Sequence, residues 1–154
     1  SSIHNTEIEI IENKKSIVSK NYDGVKYNFI KNMKYSGNSL SRVLNMLQFA
    51  LKVPFISSKK FGKPDIVYLS SPCMISTFFG VLLGKLKKAK IITEVRDIWP
   101  FSIVDYSEKI TEKNIIIKIL SAVEKWIYKN SDAVIFTMPG GKEYIVDRKW
   151  ENKG

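Results

Sequence analysis

The chain has a single cysteine, Cys73, and a single histidine, His4, in 154 residues. One cysteine excludes an intramolecular disulfide framework and fits a reducing compartment. One histidine excludes a multi-histidine metal site and leaves a Ser-His-Asp triad without support. No apolar run reaches the roughly 18 residues of a membrane-spanning helix. The longest, Cys73 to Leu86, is interrupted by Ser76, Thr77, Gly80 and Gly84 and reads as a buried helix. Neither a G-x-G-x-x-G nor a Walker A pattern occurs, so dinucleotide and P-loop chemistry have no motif here. No secretory signal, internal repeat, low-complexity tract or linker is legible.

What is abundant is positive charge. Lys and Arg number 25 against 15 Asp and Glu, a formal net charge of +10. Such a field attracts nucleic acid, an anionic membrane surface or phosphorylated small molecules. The lysines are spread over Lys14-Lys15, Lys59-Lys60 and Lys85-Lys87-Lys88, with no Arg-rich tract, RNP-like motif or zinc-finger pattern. That distribution favours a membrane or phosphate partner over specific nucleic-acid recognition. With 44% hydrophobic residues the composition is that of one globular domain with a real core.

The element pattern alternates. Lys15 to Ser19 and Val25 to Lys31 flank the turn Asn21-Tyr22-Asp23-Gly24 and read as a hairpin or bent strand pair. Leu40, Val43, Leu44, Leu47 and Leu51 recur at helical spacing, with Arg42, Asn45, Gln48 and Lys52 facing out and Pro54 ending a helix over 39–53. Asp65 to Leu69 reads as a strand, Ser71 as a cap and Pro72 as the first position of a helix over 73–87. Gly80 and Gly84, one turn apart, imply close approach by a neighbouring backbone. Residues 90–96 read as a strand buried on both faces. A helix over 113–130 follows, with Ile116, Ile119, Leu120, Val123 and Ile127 inward and Lys118, Glu124, Lys125 and Lys129 outward. A strand over 132–137 and a last helix from Lys142 to Lys149 close the pattern. The expected fold is α/β. Strands near 25–31, 65–70, 90–96 and 132–137 would form one mostly parallel, Rossmann-like sheet with helices on both faces.

In such a sheet the strand ends share one edge, where open α/β folds bind ligands. That edge would gather Ser70 and Ser71, then Glu94, Arg96, Asp97 and Trp99, then Thr137, Gly140 and Gly141. Asp97 is the candidate catalytic base, or the carboxylate that orients a sugar hydroxyl. Arg96 could hold a phosphate or pair with Glu94, two residues away on the same strand face. Trp99 suits a cleft wall. Two of the loops lead into helix N-termini, whose free N–H groups favour anions or hydroxyls; Ser71 and Gly140 serving only as helix caps is the plainer alternative. Cys73 reads as a buried structural thiol.

Several segments together resemble family 4 glycosyltransferases of the GT-B fold, in the subgroup that builds bacterial O-antigen and capsule oligosaccharides. They are Lys63-Pro64-Asp65-Ile66-Val67-Tyr68 with Ser70-Ser71-Pro72, Glu94-Val95-Arg96-Asp97-Ile98-Trp99-Pro100, and Ser131-Asp132-Ala133-Val134 followed by Thr137-Met138-Pro139-Gly140. Gly37-Asn38 and Arg42-Val43-Leu44-Asn45-Met46 add to the resemblance, which runs from about Asp23 to Ile145. The segment at 94–100 is its most specific part. Many relatives carry His-Asp where this chain has Arg96-Asp97, so the histidine's role does not transfer, whereas Asp97 matches.

The resemblance implies that residues 1–154 form part of the N-terminal, acceptor-side Rossmann-like domain. The first strand would then lie before Ser1 and the donor-binding domain beyond Gly154. It further implies a retaining enzyme that needs no metal or other cofactor and takes a nucleotide-sugar as donor substrate. The acceptor would be lipid-linked or a polysaccharide, at the cytoplasmic face of the plasma membrane. The fragment alone is expected to self-associate and to be inactive. The lysines and the aromatics Trp99, Phe101, Tyr106 or Trp150 could dock the cleft mouth on anionic lipid; a solvated basic surface that only keeps the protein soluble is the equal alternative. Two rivals remain at this stage: another GT-B nucleotide-sugar enzyme such as an epimerase, and a non-catalytic basic α/β module that binds nucleic acid or membrane.

Overall fold

The computed structural model describes residues 16–33, 40–60, 62–71, 73–100 and 113–150. Two compact units divide between Lys52 and Val53. In the first, β1 (Ile17–Tyr22) and β2 (Val25–Ile30) form an antiparallel hairpin from Ile17 opposite Ile30 to Tyr22 opposite Val25. Asp23 and Gly24 both have positive φ, 49° and 81°. That is the requirement of a two-residue turn whose twist matches the strands. The hairpin expectation therefore holds, but the place of 25–31 in the main sheet does not. β2 belongs to a separate two-stranded sheet, paired with the strand just before it to which the tight turn returns it.

Helix α1 (Leu40–Lys60) corrects two further expectations. It runs through Pro54 instead of ending there. An internal proline costs about 3 kcal/mol through the lost hydrogen bond and ring clash, and Pro54 stands just past the division between the units. Nor do Asn45, Gln48 and Lys52 simply face solvent. Gln48 Oε1 accepts from the Met33 N–H at 2.8 Å and Lys52 Nζ donates to the Lys31 carbonyl at 2.6 Å. Asn45 Nδ2 donates to the Met33 carbonyl. These side chains satisfy backbone groups leaving β2, while Leu44 and Leu51 of the expected inner stripe are exposed.

The second unit is an α/β layer. β3 (Ile66–Ser71), β4 (Lys90–Val95) and β5 (Ala133–Phe136) form a parallel sheet in the order β3-β4-β5. α2 (Met74–Lys87) connects β3 to β4, and α3 (Ile115–Asn130) lies between β4 and β5. A short α4 (Gly141–Asp147) follows β5. Gly80 and Gly84 let α2 lie on the sheet: a Cβ at Gly84 would stand 2.6 Å from Ile91 Cγ1, and one at Gly80 would meet Leu69. The close neighbours are thus side chains of β3 and β4, not another backbone.

The core groups Met74, Val81, Ile91, Val95, Ile127, Tyr128 and Trp150, with Leu69, Val134 and Phe136 packed against it. These strand residues share one face, since Leu69 pairs with Thr93 and Val95 with Phe136. α2, α3 and α4 all contribute to that face. On the opposite face Ile66, Tyr68 and Ile135 are exposed. Among the described residues, the expected burial of β4 on both faces, with helices on each, is replaced by a sheet whose second face carries exposed apolar residues.

The inward stripe of α3 also differs from expectation. Ile117, Glu124, Ile127 and Tyr128 are buried, whereas Ile116 and Ile119 are exposed. Isoleucine at 115, 116, 117 and 119 surrounds the first turns with apolar side chains, so periodicity alone does not mark the inner side. At the base of the sheet Asp132 accepts from the Ile91 N–H and from Lys90 Nζ, both at 2.8 Å. Those bonds hold its carboxyl below the usual carboxylate range, Lys90 contributing most. Beside them Thr93 and Ser131 share a buried hydrogen bond of 2.8 Å.

Candidate site at the carboxyl edge of the parallel sheet

Parallel pairing levels the ends of the three strands. Ser71 lies opposite Val95, and Val95 opposite Phe136, so the residues that follow emerge along one edge. The edge forms because each strand is a short apolar run closed by a different stop. After β4 the stop is Arg96-Asp97, with Pro100 three residues on; after β5 it is Thr137, whose N–H donates to the Val95 carbonyl at 3.1 Å. The Thr137 hydroxyl donates to the same carbonyl at 3.3 Å. Thr137 therefore closes the β4–β5 pair.

Asp97 and Trp99 line a small pocket at this edge with Met74, Thr77, Thr93, Val95, Glu124, Ile127 and Tyr128. Its interior of about 20 Å³ is the room one water or hydroxyl group needs. Asp97 is exposed and Trp99 half-buried. Glu124, placed outward by the sequence reading, is the other carboxyl group of the pocket and is 3% exposed. Its two oxygens accept from the Tyr128 and Tyr144 hydroxyls at 2.7 and 2.8 Å. Burial pushes its pKa up, against the two tyrosine hydrogen bonds and the nearby Arg148 charge, which lower it. Tyr128 is pushed up as well, by burial first and then by the Glu124 charge. The guanidinium of Arg148 stands 4.0 Å from the centre of the Tyr144 ring. One spacing could have revealed Glu124: Tyr128 lies four residues on, one helical turn away.

The remaining expected site residues divide. Glu94 does not share the Asp97 pocket. Ser70 lies opposite it on β3, on the exposed sheet face, where Tyr68 donates its hydroxyl to Glu94 Oε2 at 2.8 Å. That bond, with the neighbouring charge, raises the tyrosine pKa. No ion pair joins Glu94 to Arg96, which is exposed. Ser71 is not the cap of α2: Cys73 is, with extended backbone and no side-chain cap bond, and Pro72 lies outside the described residues. Ser76 and Thr77 hydroxyls fold back onto the Cys73 carbonyl instead. Gly140 has φ of 84°, a conformation that favours glycine, and precedes α4. Gly141 is explained by packing, since any Cβ there would collide with the Phe136 ring. Cys73 is buried, as expected of a structural thiol.

Of the aromatics expected at a membrane, Trp150 is buried against Tyr128 and Tyr144. Phe101 and Tyr106 lie outside the described residues. Among the described residues no cluster of three or more His, Cys, Asp or Glu could hold a metal ion. No described helix is long and apolar enough to cross a membrane. No protein-family model, curated protein or solved structure matches this chain.

Proposed function

We propose that this chain is the acceptor-side part of a glycosyltransferase of GT-B type, moving a sugar from a nucleotide-sugar to a lipid-linked or polysaccharide acceptor. The observation that carries the reading is Asp97 at the carboxyl edge of β4, exposed on one side and lining a hydroxyl-sized pocket on the other. The motif that resembles the transferases, residues 94–100, supplies that carboxylate and the adjacent Trp99 together. A sugar ring is far larger than the pocket. It would lie along the exposed edge beside Trp99 and direct one hydroxyl at Asp97. The carboxylate would accept that hydroxyl's hydrogen bond and then its proton. As it does so, the acceptor oxygen bonds to the donor's anomeric carbon and the bond from that carbon to the nucleotide phosphate breaks, the nucleotide leaving with the electron pair.

Each neighbour then has a task. Thr93, with its hydroxyl hydrogen-bonded to Ser131, gives the pocket a neutral floor. Glu124 is buried with both oxygens taken up by the Tyr128 and Tyr144 hydroxyls, which leaves Asp97 as the exposed carboxylate of the pocket. Arg96, exposed next to Asp97, is available to a phosphate of the donor or of a lipid-linked acceptor.

The test is transfer of labelled sugar by the protein carrying this chain in its complete reading frame, offered a set of nucleotide-sugars and lipid-linked acceptors. Asp97→Asn keeps the shape and removes the charge, so kcat should fall by ~10²–10⁴ with the melting temperature kept. Arg96→Lys should mainly raise KM. A near-normal kcat in Asp97→Asn would refute the catalytic role of this carboxylate.

A further inference from the structure

We infer that the outward half of α3 is a docking face for an anionic lipid surface. Its first turns expose three large apolar side chains, Ile115 at 68%, Ile116 at 62% and Ile119 at 57%. At about 100° per residue, these three fall within one arc of roughly 100° on the helix. Lys118, Lys125 and Lys129, all exposed, fall within roughly 40° of one another beside that arc. The helix has a single acidic residue, Glu124, and it is turned into the core, so no carboxylate interrupts the exposed half. The isoleucines occupy the first turn with Lys118 beside them, and Lys125 and Lys129 extend the lysine strip to about 9 and 15 Å beyond Ile119 along the helix.

That division is what an interfacial helix requires. Apolar side chains enter the acyl boundary while ammonium groups remain at headgroup level. A protein partner could use the isoleucines, but an adjoining strip of one charge sign, on a chain of net charge +10, complements a continuous anionic surface. The helix cannot leave the protein to insert. Trp126 packs at 4.8 Å between ring centres against Phe78, and Ile127 and Tyr128 lie in the core. Docking is therefore by the intact domain. It does not depend on sugar transfer, and either reading can fail without the other.

The test is co-sedimentation of the full 154-residue chain with vesicles of phosphatidylcholine alone and of phosphatidylcholine mixed with phosphatidylglycerol. The wild type should partition onto the anionic vesicles only, and less as salt rises. Lys118→Glu/Lys125→Glu should lower the partition coefficient at least about tenfold, and Ile115→Ser/Ile119→Ser should lower it without changing its salt dependence. Lys20→Glu/Lys26→Glu, the same charge change on the hairpin, should leave most of the binding. All these positions are exposed, and circular-dichroism melts confirm folding; should the isoleucine pair unfold, the lysine pair and the hairpin control still decide. Equal loss in the hairpin control would reduce the effect to bulk charge and overturn the inference. So would absence of binding to anionic vesicles, or a wild-type dimer in solution that Ile115→Ser/Ile119→Ser converts to monomer, which would assign the face to a second copy.

Discussion

Gly84 offers the most direct measure of how tightly α2 is laid on the sheet. In an exposed helix, replacing glycine by alanine stabilises by about 1 kcal/mol through backbone entropy. Here the added Cβ would stand 2.6 Å from Ile91 Cγ1 and 2.9 Å from its Cδ1. Ile91 is 2% exposed, in the central strand, and has no room to withdraw. Overpacking of a closed core costs about 1–3 kcal/mol, so the clash outweighs the propensity gain. Gly84→Ala should destabilise by about 1–2 kcal/mol, which for a chain of this size lowers the melting temperature by about 2–8 °C. Gly80 is the internal control. Its obstacle is Leu69, met first at a terminal methyl of a half-buried, rotatable side chain. Gly80→Ala should remain within about 1 kcal/mol of wild type. Thermal melts and urea titrations of both variants provide the numbers. A Gly84→Ala protein that melts at or above wild type, or one less affected than Gly80→Ala, would refute this account of the helix–sheet contact.

Two further predictions follow from ionisation. Glu124 has a folded pKa above its ordinary 4.5, so its favourable contribution is complete below that value and is lost as pH rises through the folded value. Glu124→Gln should match wild type in acid and gain melting temperature relative to it as pH rises; a difference independent of pH would remove burial as the dominant cause. Asp132 is the reverse case, its carboxyl depressed below the ordinary 3.8, so its contribution is present above that value and fades as pH falls through the folded one. Asp132→Asn should therefore be destabilised at neutral pH and converge on wild type in strong acid, and a penalty that persists there would show that shape, not charge, secures the base of β5.

The parallel sheet was legible because its strands are short, β-branched and separated by helix-length segments, a pattern with few other solutions. The hairpin was legible from Asp23-Gly24 for the same local reason, yet its separation from the sheet was not, since composition does not say which edge a strand joins. Pro54 was read as a stop because local sterics favour one, and α1 continues regardless. Outward placement of Glu124 followed from charge, the usual guide. Two tyrosine hydroxyls reverse it by supplying the bonds that a buried carboxyl must have. Such partners, one from the same helix and one from α4, belong to tertiary structure.

The site shows why β4 was only half read. A strand alternates sides, and Ile91, Thr93 and Val95 take the helix-covered side, burying them, while Ile92 and Glu94 take the other. Reading the strand as buried on both faces made Glu94 a charge in need of a partner, and Arg96 was the nearest candidate. On the exposed face Glu94 needs no ion pair, and a tyrosine hydroxyl from the neighbouring strand meets it. Asp97 continues the phase of Val95 and so reaches the pocket beneath α2 and α3. One strand therefore delivers two carboxylates to two different surfaces. Of these two carboxylates, Asp97 is the one that shares a cavity with groups that shape its environment, while Glu94 meets Tyr68 on the other face.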